Sequence, residues 1–375
     1  MSKPNTIPRP TGPQSLKALQ AMLHENSVLA AFRAFHEQLG DVFRLQLPGF
    51  DPIVLVGAEA NEFVLLTERA RLRWRSESDP IARLLGHGLL VEDGETLHDR
   101  PRQVMSPALH QTAIRQYLAA MQRGTDHVLE RWEDGTTIDV VEAMREMSML
   151  IVFESFFSDD LRASLDSLWN ATIRLMGFIS PGLWMIWANA PAAGYEEARR
   201  QLDAYLYDII RCRRSLDQQP DDLLGLLIRA GYDDDLIRDE MMTMVVAGHD
   251  TTTALLGWVW VLLCQHPTVM QAAADEARSV LGAYDPSVQI TMEQLNAMTL
   301  TDAIVKETLR LYPPAHLGSR IALENLHFRD YSIPAGSRVI YSIYLTHRSP
   351  AYWDHPDQFM PERWYGSRPQ RFTYL

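Results

Sequence analysis

The feature that most constrains this chain is a long apolar helix pattern near Asp234–Cys264 with a polar break at its middle, Ala247-Gly248-His249-Asp250-Thr251-Thr252. A glycine inside a helix costs about 1 kcal/mol relative to alanine. An Asp-Thr pair in an apolar helix adds a polar cost. One reading is a packing glycine beside a solvated polar turn. The other is a helix passing close over a flat cofactor, with Gly248 leaving room for a small ligand and Asp250 and Thr251 handling protons. Six residues alone do not decide between these. The 375 residues, 46% hydrophobic and 22% charged, are of globular composition and suffice to bury a large core with a cavity inside it.

Most of the remaining chain also shows helical patterning. Candidate helices lie near Ser27–Leu39, Ala58–Leu66, Arg100–Trp132, Val140–Phe157, Leu161–Met176, Tyr195–Ser215, Asp221–Ala230, Pro267–Leu281 and Thr301–Tyr312. His266-Pro267 and Tyr312-Pro313-Pro314 are explicit stops, because proline disfavours helix in the residue before it. Val42–Leu47 and Ile53–Val56 flank a Pro-Gly turn and read as a β-hairpin. Leu326–Ile333 and Ser337–Tyr344 read as strands, with Pro334-Ala335-Gly336 as the turn between them. The first twenty residues read as an extended Pro-rich lead, Arg69–Gly94 mainly as loop, and Pro350–Leu375 as loops. The balance is mainly α with a minor β part. No linker-like stretch divides it, so a single domain over residues 1–375 is expected.

A formal net charge of −13 makes the chain a poor nucleic-acid binder, since neutralising phosphates needs clustered Lys and Arg. The two cysteines, Cys212 and Cys264, cannot build a disulfide framework and lack the Cys/His neighbours of a zinc site. The N-terminus is polar and proline-rich, and no run is long and apolar enough for a membrane span. The expectation is a cytoplasmic monomer without a signal peptide or membrane anchor.

Three further motifs carry chemistry. In KETLRLYPP, Glu307 and Arg310 stand three apart on one helix face and can pair. Ile304, Val305, Leu309 and Leu311 around them favour burial, and a buried pair needs further hydrogen bonds to offset desolvation. In Pro361-Glu362-Arg363-Trp364, Arg363 offers five donors in a fixed fork, suited to bridging a carboxylate and backbone carbonyls. His98 and Arg102 stand four apart and, on one helix face, can hold an anionic group. Each has a plain alternative: a surface ion pair, an exposed loop arginine and a polar helix start.

Taken in order, GETLHDRPR, AGHDTT, KETLRLYPP and PERW resemble the cytochrome P450 family, and Thr346-His347-Arg348-Ser349-Pro350 is similar to its counterpart before PERW. The likeness runs from about Gly40 to Leu375. It implies the family's fold and a haem-dependent monooxygenase, an oxidoreductase. The implied cofactor is haem b (iron protoporphyrin IX), with O2 as co-substrate. NAD(P)H electrons would arrive through a ferredoxin, a flavodoxin or a flavin reductase. Position by position, Asp250 and Thr251 resemble the acid–alcohol pair that delivers protons. Ala247 and Gly248 match the oxygen pocket, and Glu307, Arg310 and Arg363 match a structural triad. His98, Arg102 and Arg320 match propionate contacts. His249 receives no chemistry.

The sequence also departs from the family pattern. The family's iron ligand is a cysteine in a glycine-rich loop soon after PERW, and neither Cys212 nor Cys264 matches it. The resemblance therefore implies a chain that stops before that loop and is inactive as written, since the thiolate's electron donation favours O–O cleavage. Two alternatives stay open: a peroxide-using peroxygenase and a haem-free, non-catalytic scaffold. The apolar segment Leu175–Ala188, broken by Pro181 and Gly182, reads either as core or as a lid over a lipophilic substrate.

Overall fold

The computed structural model describes residues 5–46, 50–74, 81–179, 193–283, 285–366 and 368–375. In chain order they form helices α1 (Gly12–Glu25) and α2 (Val28–Leu39), strands β1 (Val42–Arg44) and β2 (Ile53–Val56), helix α3 (Ala58–Glu62) and strand β3 (Leu72–Arg73). A helical stretch follows: α4 (Ile81–Leu85), α5 (Arg100–Met105), α6 (Gln111–Leu129), α7 (Val140–Phe157), α8 (Leu165–Ile179), α9 (Tyr195–Arg214) and α10 (Leu223–Arg229). It continues with α11 (Asp234–Gln265), α12 (Pro267–Leu281), α13 (Met292–Ala297) and α14 (Thr299–Leu311). The last elements are β4 (Leu317–Ala322), β5 (Leu326–Phe328), β6 (Tyr331–Ile333), β7 (Arg338–Ser342) and α15 (Ile343–His347). The chain divides into two compact units. A sheet unit takes in the described residues up to Trp74 together with Ala303–Leu375, and a helical unit takes in those from Ile81 to Asp302.

The sheet unit is built on five strands in the order β1-β2-β7-β4-β3. β2 and β7 run parallel, Ile53 opposite Val339 through Val56 opposite Ser342, and β4 is antiparallel to β7. β2 (Ile53–Val56) and Val339–Tyr341 of β7 are apolar at every position, as strand segments covered on both faces are. Alternation sends Ile53, Leu55, Val339 and Tyr341 to one face, against Phe63, Val64 and Phe328. Val54, Val56 and Ile340 go to the other, against Phe32, Phe43 and Tyr344. β5 and β6 form a separate hairpin, turning through Arg329 at φ 50°.

In the helical unit α7 packs against both α6 and α11. The Asp139 carboxylate accepts the Val141 and Glu142 N–H groups at the start of α7, and Asp233 accepts Leu236 N–H at the start of α11. Val128, Met144 and Met147 are buried between α6 and α7, with Leu256 and Trp260 of α11 beside them.

Several elements differ from the sequence reading: Leu326–Ile333 folds as the hairpin β5–β6 and not as one strand, and β4 and α13 were not expected. The first twenty residues are not extended throughout, because α1 begins at Gly12. Pro13 sits in its first turn, where the missing N–H costs nothing, and Thr11 N–H donates to Gln14 Oε1 at 2.8 Å. The helix expected over Arg100–Trp132 is broken into α5, a 3-10 turn at Ser106–Leu109 and α6, because Pro107 lacks an N–H for the ladder.

Candidate functional site

Glu307 and Arg310 lie on one face of α14, and both side chains are fully buried. Arg310 donates to both carboxylate oxygens, from Nε at 2.9 Å and from Nη2 at 2.8 Å. Its remaining donors reach backbone carbonyls of His347 (2.8 Å), Pro356 (2.7 Å) and Gln358 (3.1 Å). Glu307 also accepts Met360 N–H, Trp364 Nε1–H and Arg363 Nε–H, each at 3.0 Å. Arg363 then bonds the Asp354 carbonyl at 3.0 Å. Burial alone would push the Glu307 carboxyl up, but Arg310 and these other donors hold it below its ordinary value. The cluster thus satisfies the buried pair and ties α14 to residues 354–364, as five fixed donors on one planar group allow.

Next to it, His347 is buried with Nδ1 3.2 Å from the Arg310 carbonyl, while Leu375 N–H donates to Nε2 at 3.0 Å. This assigns the neutral tautomer with the proton on Nδ1, and burial lowers its pKa to about 4. Tyr374 stacks on His347 with ring centroids 5.2 Å apart, and Asn61 Nδ2–H donates to the Phe372 carbonyl at 2.9 Å. Besides the triad, the sequence reading quoted His347 and Trp364 within their motifs but gave them no role. The signal for this supporting group was the cluster of Trp, Tyr and Phe in 353–374.

In the helical unit the middle of α11 has two unlike sides. One is packed on α7. The Gly248 Cα faces Val152, where an added Cβ would stand 2.8 Å from Cγ2. Ser148 Oγ lies 2.9 Å from Thr253 Oγ1, and Thr253 Oγ1–H donates to the His249 carbonyl at 2.8 Å. At Gly248, α11 thus approaches α7 closely. His249 is fully buried on the same side, and burial holds its ring near pKa 4, neutral. The other side carries Ala247, Thr251 and Leu255, which are half-buried or exposed, a stripe at helical spacing. Thr251 Oγ1–H donates to the Ala247 carbonyl at 2.5 Å, a back-bond that loosens the helix locally. Burial raises the pKa of Asp250, and the Arg145 charge on α7 opposes that rise.

The first third of α11 carries a group absent from the sequence reading. Arg238 donates to Asp203 Oδ1 of α9 from Nε at 2.7 Å, to Asp239 Oδ1 at 2.8 Å and to the Leu84 carbonyl at 2.9 Å. Asp239 accepts His87 N–H at 2.8 Å, and Glu240 accepts Leu89 N–H at 3.0 Å. Gly86, at φ +55°, has no room for a Cβ against the Asp239 carboxylate. Glu240 is fully buried, and burial raises its pKa to about 7. Three adjacent charged residues in an apolar helix were the available signal.

The remaining candidates lie on separate elements. His98 lies in a π-helical turn and is 2.7 Å from the Asp99 carboxylate, while Arg102 is exposed on α5. Arg320 is in β4, stacked 4.4 Å over the Trp74 ring and donating to the Ser319 carbonyl at 2.8 Å. Cys212 on α9 and Cys264 on α11 are both exposed. The lid reading of Leu175–Ala188 falls largely on residues 180–188, outside the described residues.

Mostly helical, with a small mixed sheet and a buried Glu307–Arg310 pair joined by Arg363, the chain has a fold that comparison with known proteins identifies. The cytochrome P450 family model matches residues 8–374, and this chain is a member of that family. A Mycobacterium tuberculosis (strain ATCC 25618 / H37Rv) protein described as "Putative cytochrome P450 139" is 30% identical over 89% of this chain and 79% of its own length. The cyclooctat-9-en-7-ol 5-monooxygenase of Streptomyces melanosporofaciens is 30% identical over 77% of this chain and 65% of its own. Among solved structures, retinoic acid-bound cyanobacterial CYP120A1 superposes with TM-score 0.79 at 25% identity, covering 96% of this chain and 82% of that one.

Haem is the cofactor this family implies. The open stripe Ala247–Thr251–Leu255 on α11 fits one face of a flat apolar ligand. The two cysteines of the sequence, Cys212 and Cys264, lie on α9 and α11.

Proposed function

We propose that this chain carries the oxygen-side and structural machinery of a haem-dependent monooxygenase acting on an apolar small molecule, with electrons from a ferredoxin, flavodoxin or flavin reductase. The observation that carries this is the adjacent Asp250–Thr251 pair in the middle of α11, Thr251 exposed and the Asp250 pKa raised by burial. Haem, when bound, supplies oxygen activation. The protein's part is to hold and pass protons: burial raises the Asp250 carboxyl above its ordinary value, and the Thr251 hydroxyl is oriented by the Ala247 carbonyl. Glu307, Arg310 and Arg363 position the segment after α14, and His98, Arg102 and Arg320 are the proposed propionate contacts. Since the Streptomyces relative is named for a cyclooctatenol, the first substrate to test is cyclooctat-9-en-7-ol.

The test is reconstitution with hemin, followed by turnover with reductase, NAD(P)H and O2. A Soret band at one haem per chain and a hydroxylated product support the reading; Thr251→Ala should then lower product per reducing equivalent while NAD(P)H consumption continues. Turnover with peroxide alone would point to a peroxygenase. A second reading, a haem-free scaffold, is favoured by one observation: the two cysteines are exposed on α9 and α11, away in sequence from the Glu307 cluster. Absence of any Soret band would select it.

A further inference from the structure

The sheet unit carries an apolar face that its own fold leaves uncovered. α1 packs on α2 through the side bearing Ala18. Its opposite side presents Leu16, Leu19 and Leu23, which are 56%, 45% and 70% exposed. At about 100° per residue these three leucines fall within about 60° of one another, a single stripe about two turns long. Helices of a water-facing surface normally turn such a stripe inward, whereas scattered single leucines need no explanation.

The charge around the stripe points the same way. From Asn5 to His24 the sequence holds Arg9 and Lys17 and no Asp or Glu, in a chain whose formal net charge is −13. Both cations are exposed. Arg9 lies near Asp51, whose carboxylate is held low mainly by Arg44. The first acidic residue, Glu25, is paired with Arg33.

We propose that α1 is an interfacial helix that seats Leu16, Leu19 and Leu23 on an anionic lipid surface, with Arg9 and Lys17 toward the headgroups. An apolar stripe flanked by cations binds in the interface plane, its affinity set by apolar area plus attraction to anionic lipid. A second copy on the same stripe would bring two basic segments together, so charge favours lipid over a dimer. Among the described residues no single helix is long and apolar enough to cross a membrane. This inference is independent of haem and of the proposed reaction.

The experiment is sedimentation of the purified full chain with phosphatidylcholine vesicles, with and without roughly one-third phosphatidylglycerol, at low salt and at about 0.5 M salt. The chain should pellet with anionic vesicles, less so at high salt. Leu16→Gln/Leu19→Gln/Leu23→Gln should lower its partition coefficient about tenfold or more. Arg9→Gln/Lys17→Gln should lower it several-fold, an arm that leaves the leucines intact should the triple variant misfold. No pelleting with either vesicle overturns the proposal, as does a partition that neither variant changes. A dimer that the triple variant converts to monomer, with no vesicle binding, also overturns it and assigns the stripe to a second copy.

Discussion

Arg310 shows how one residue can hold a segment in place. Its guanidinium fills every donor direction, two on Glu307 and the rest on three carbonyls of residues 347–358. An ammonium cannot copy that fork. Arg310→Lys is expected to destabilise the sheet unit by about 3 kcal/mol, since it leaves buried acceptors unpaired beside a buried carboxylate; chemical denaturation followed by tryptophan fluorescence measures it. A loss below about 1 kcal/mol would mean water replaces the missing donors. Glu240 gives the opposite case, a buried acid whose native pKa is raised to about 7. The native state then holds a proton that the unfolded chain gives up, so stability is greatest below the ordinary carboxylate range and declines as pH rises toward 7. Glu240→Gln removes that decline. The variant should be more stable than wild type at pH 8, by on the order of 1–3 kcal/mol, and the gap should close by pH 5. Denaturant midpoints at the two pH values decide this.

Among the elements, α7 and α11 meet through a glycine. Gly248→Ala gains about 1 kcal/mol of helix propensity but sets a Cβ 2.8 Å from Val152 Cγ2. Overpacking of this kind costs about 1–3 kcal/mol, so the single variant should be destabilised and Val152→Ala should rescue it in the double. A Gly248→Ala protein at wild-type stability, with no coupling to Val152, would show that the helices simply move apart. The same glycine marks where the sequence was hard to read. A mid-helix glycine signals close approach, but nothing in AGHDTT says whether a ligand or another helix comes near, and a helix of the same protein occupies the Gly248 side. Long periodic elements were legible: α7 spans Val140–Phe157 as its pattern indicates, and α12 spans Pro267–Leu281 between its proline and Gly282. β4 was not, because Leu317–Ala322 has little alternation and takes its strand form from pairing with β7, late in the chain. α13 carried a readable capping box, Thr291 with Gln294, that a search for apolar periodicity alone passes over. In the site, Glu307 and Arg310 were legible because their spacing is local. The Arg238–Asp239–Glu240 group was not, since its partners at residues 84–89 and 203 lie far off in sequence.

For the whole molecule, the two units respond differently to acid. In the sheet unit the shifts agree in sign. His347, at about 4, and His316 are both lowered by burial, and Glu307 is lowered overall by its donors. A histidine kept neutral when folded withdraws its stabilisation as pH falls from about 6.5 toward 4, and a lowered carboxylate does so below its ordinary value. In the helical unit His249, at about 4, and the lowered carboxylates Asp160, Glu276, Asp285 and Glu293 pull the same way, but Glu240, Asp250 and Asp159 are raised by burial and pull against them. Acidification from pH 7 to 4.5 should therefore loosen the sheet unit first. Hydrogen exchange with mass spectrometry would show faster exchange in β2, β7 and α14 while α7 and α11 stay protected; uniform loss across both units would count against this account.

The parallel pairing of β2 with β7 has a further consequence during synthesis. Close to that seam, Gly57 N–H bonds the Thr346 hydroxyl across 289 residues of sequence. At about 5–20 residues per second, a ribosome needs roughly 15–60 s to deliver β7 after β2 has emerged. Through that interval Ile53–Val56 has an apolar strand edge with no native partner, the kind of edge that seeks other chains. The first-made part of the sheet is the last to close, and yield in a cell-free translation should rise when a holdase chaperone is present to cover it.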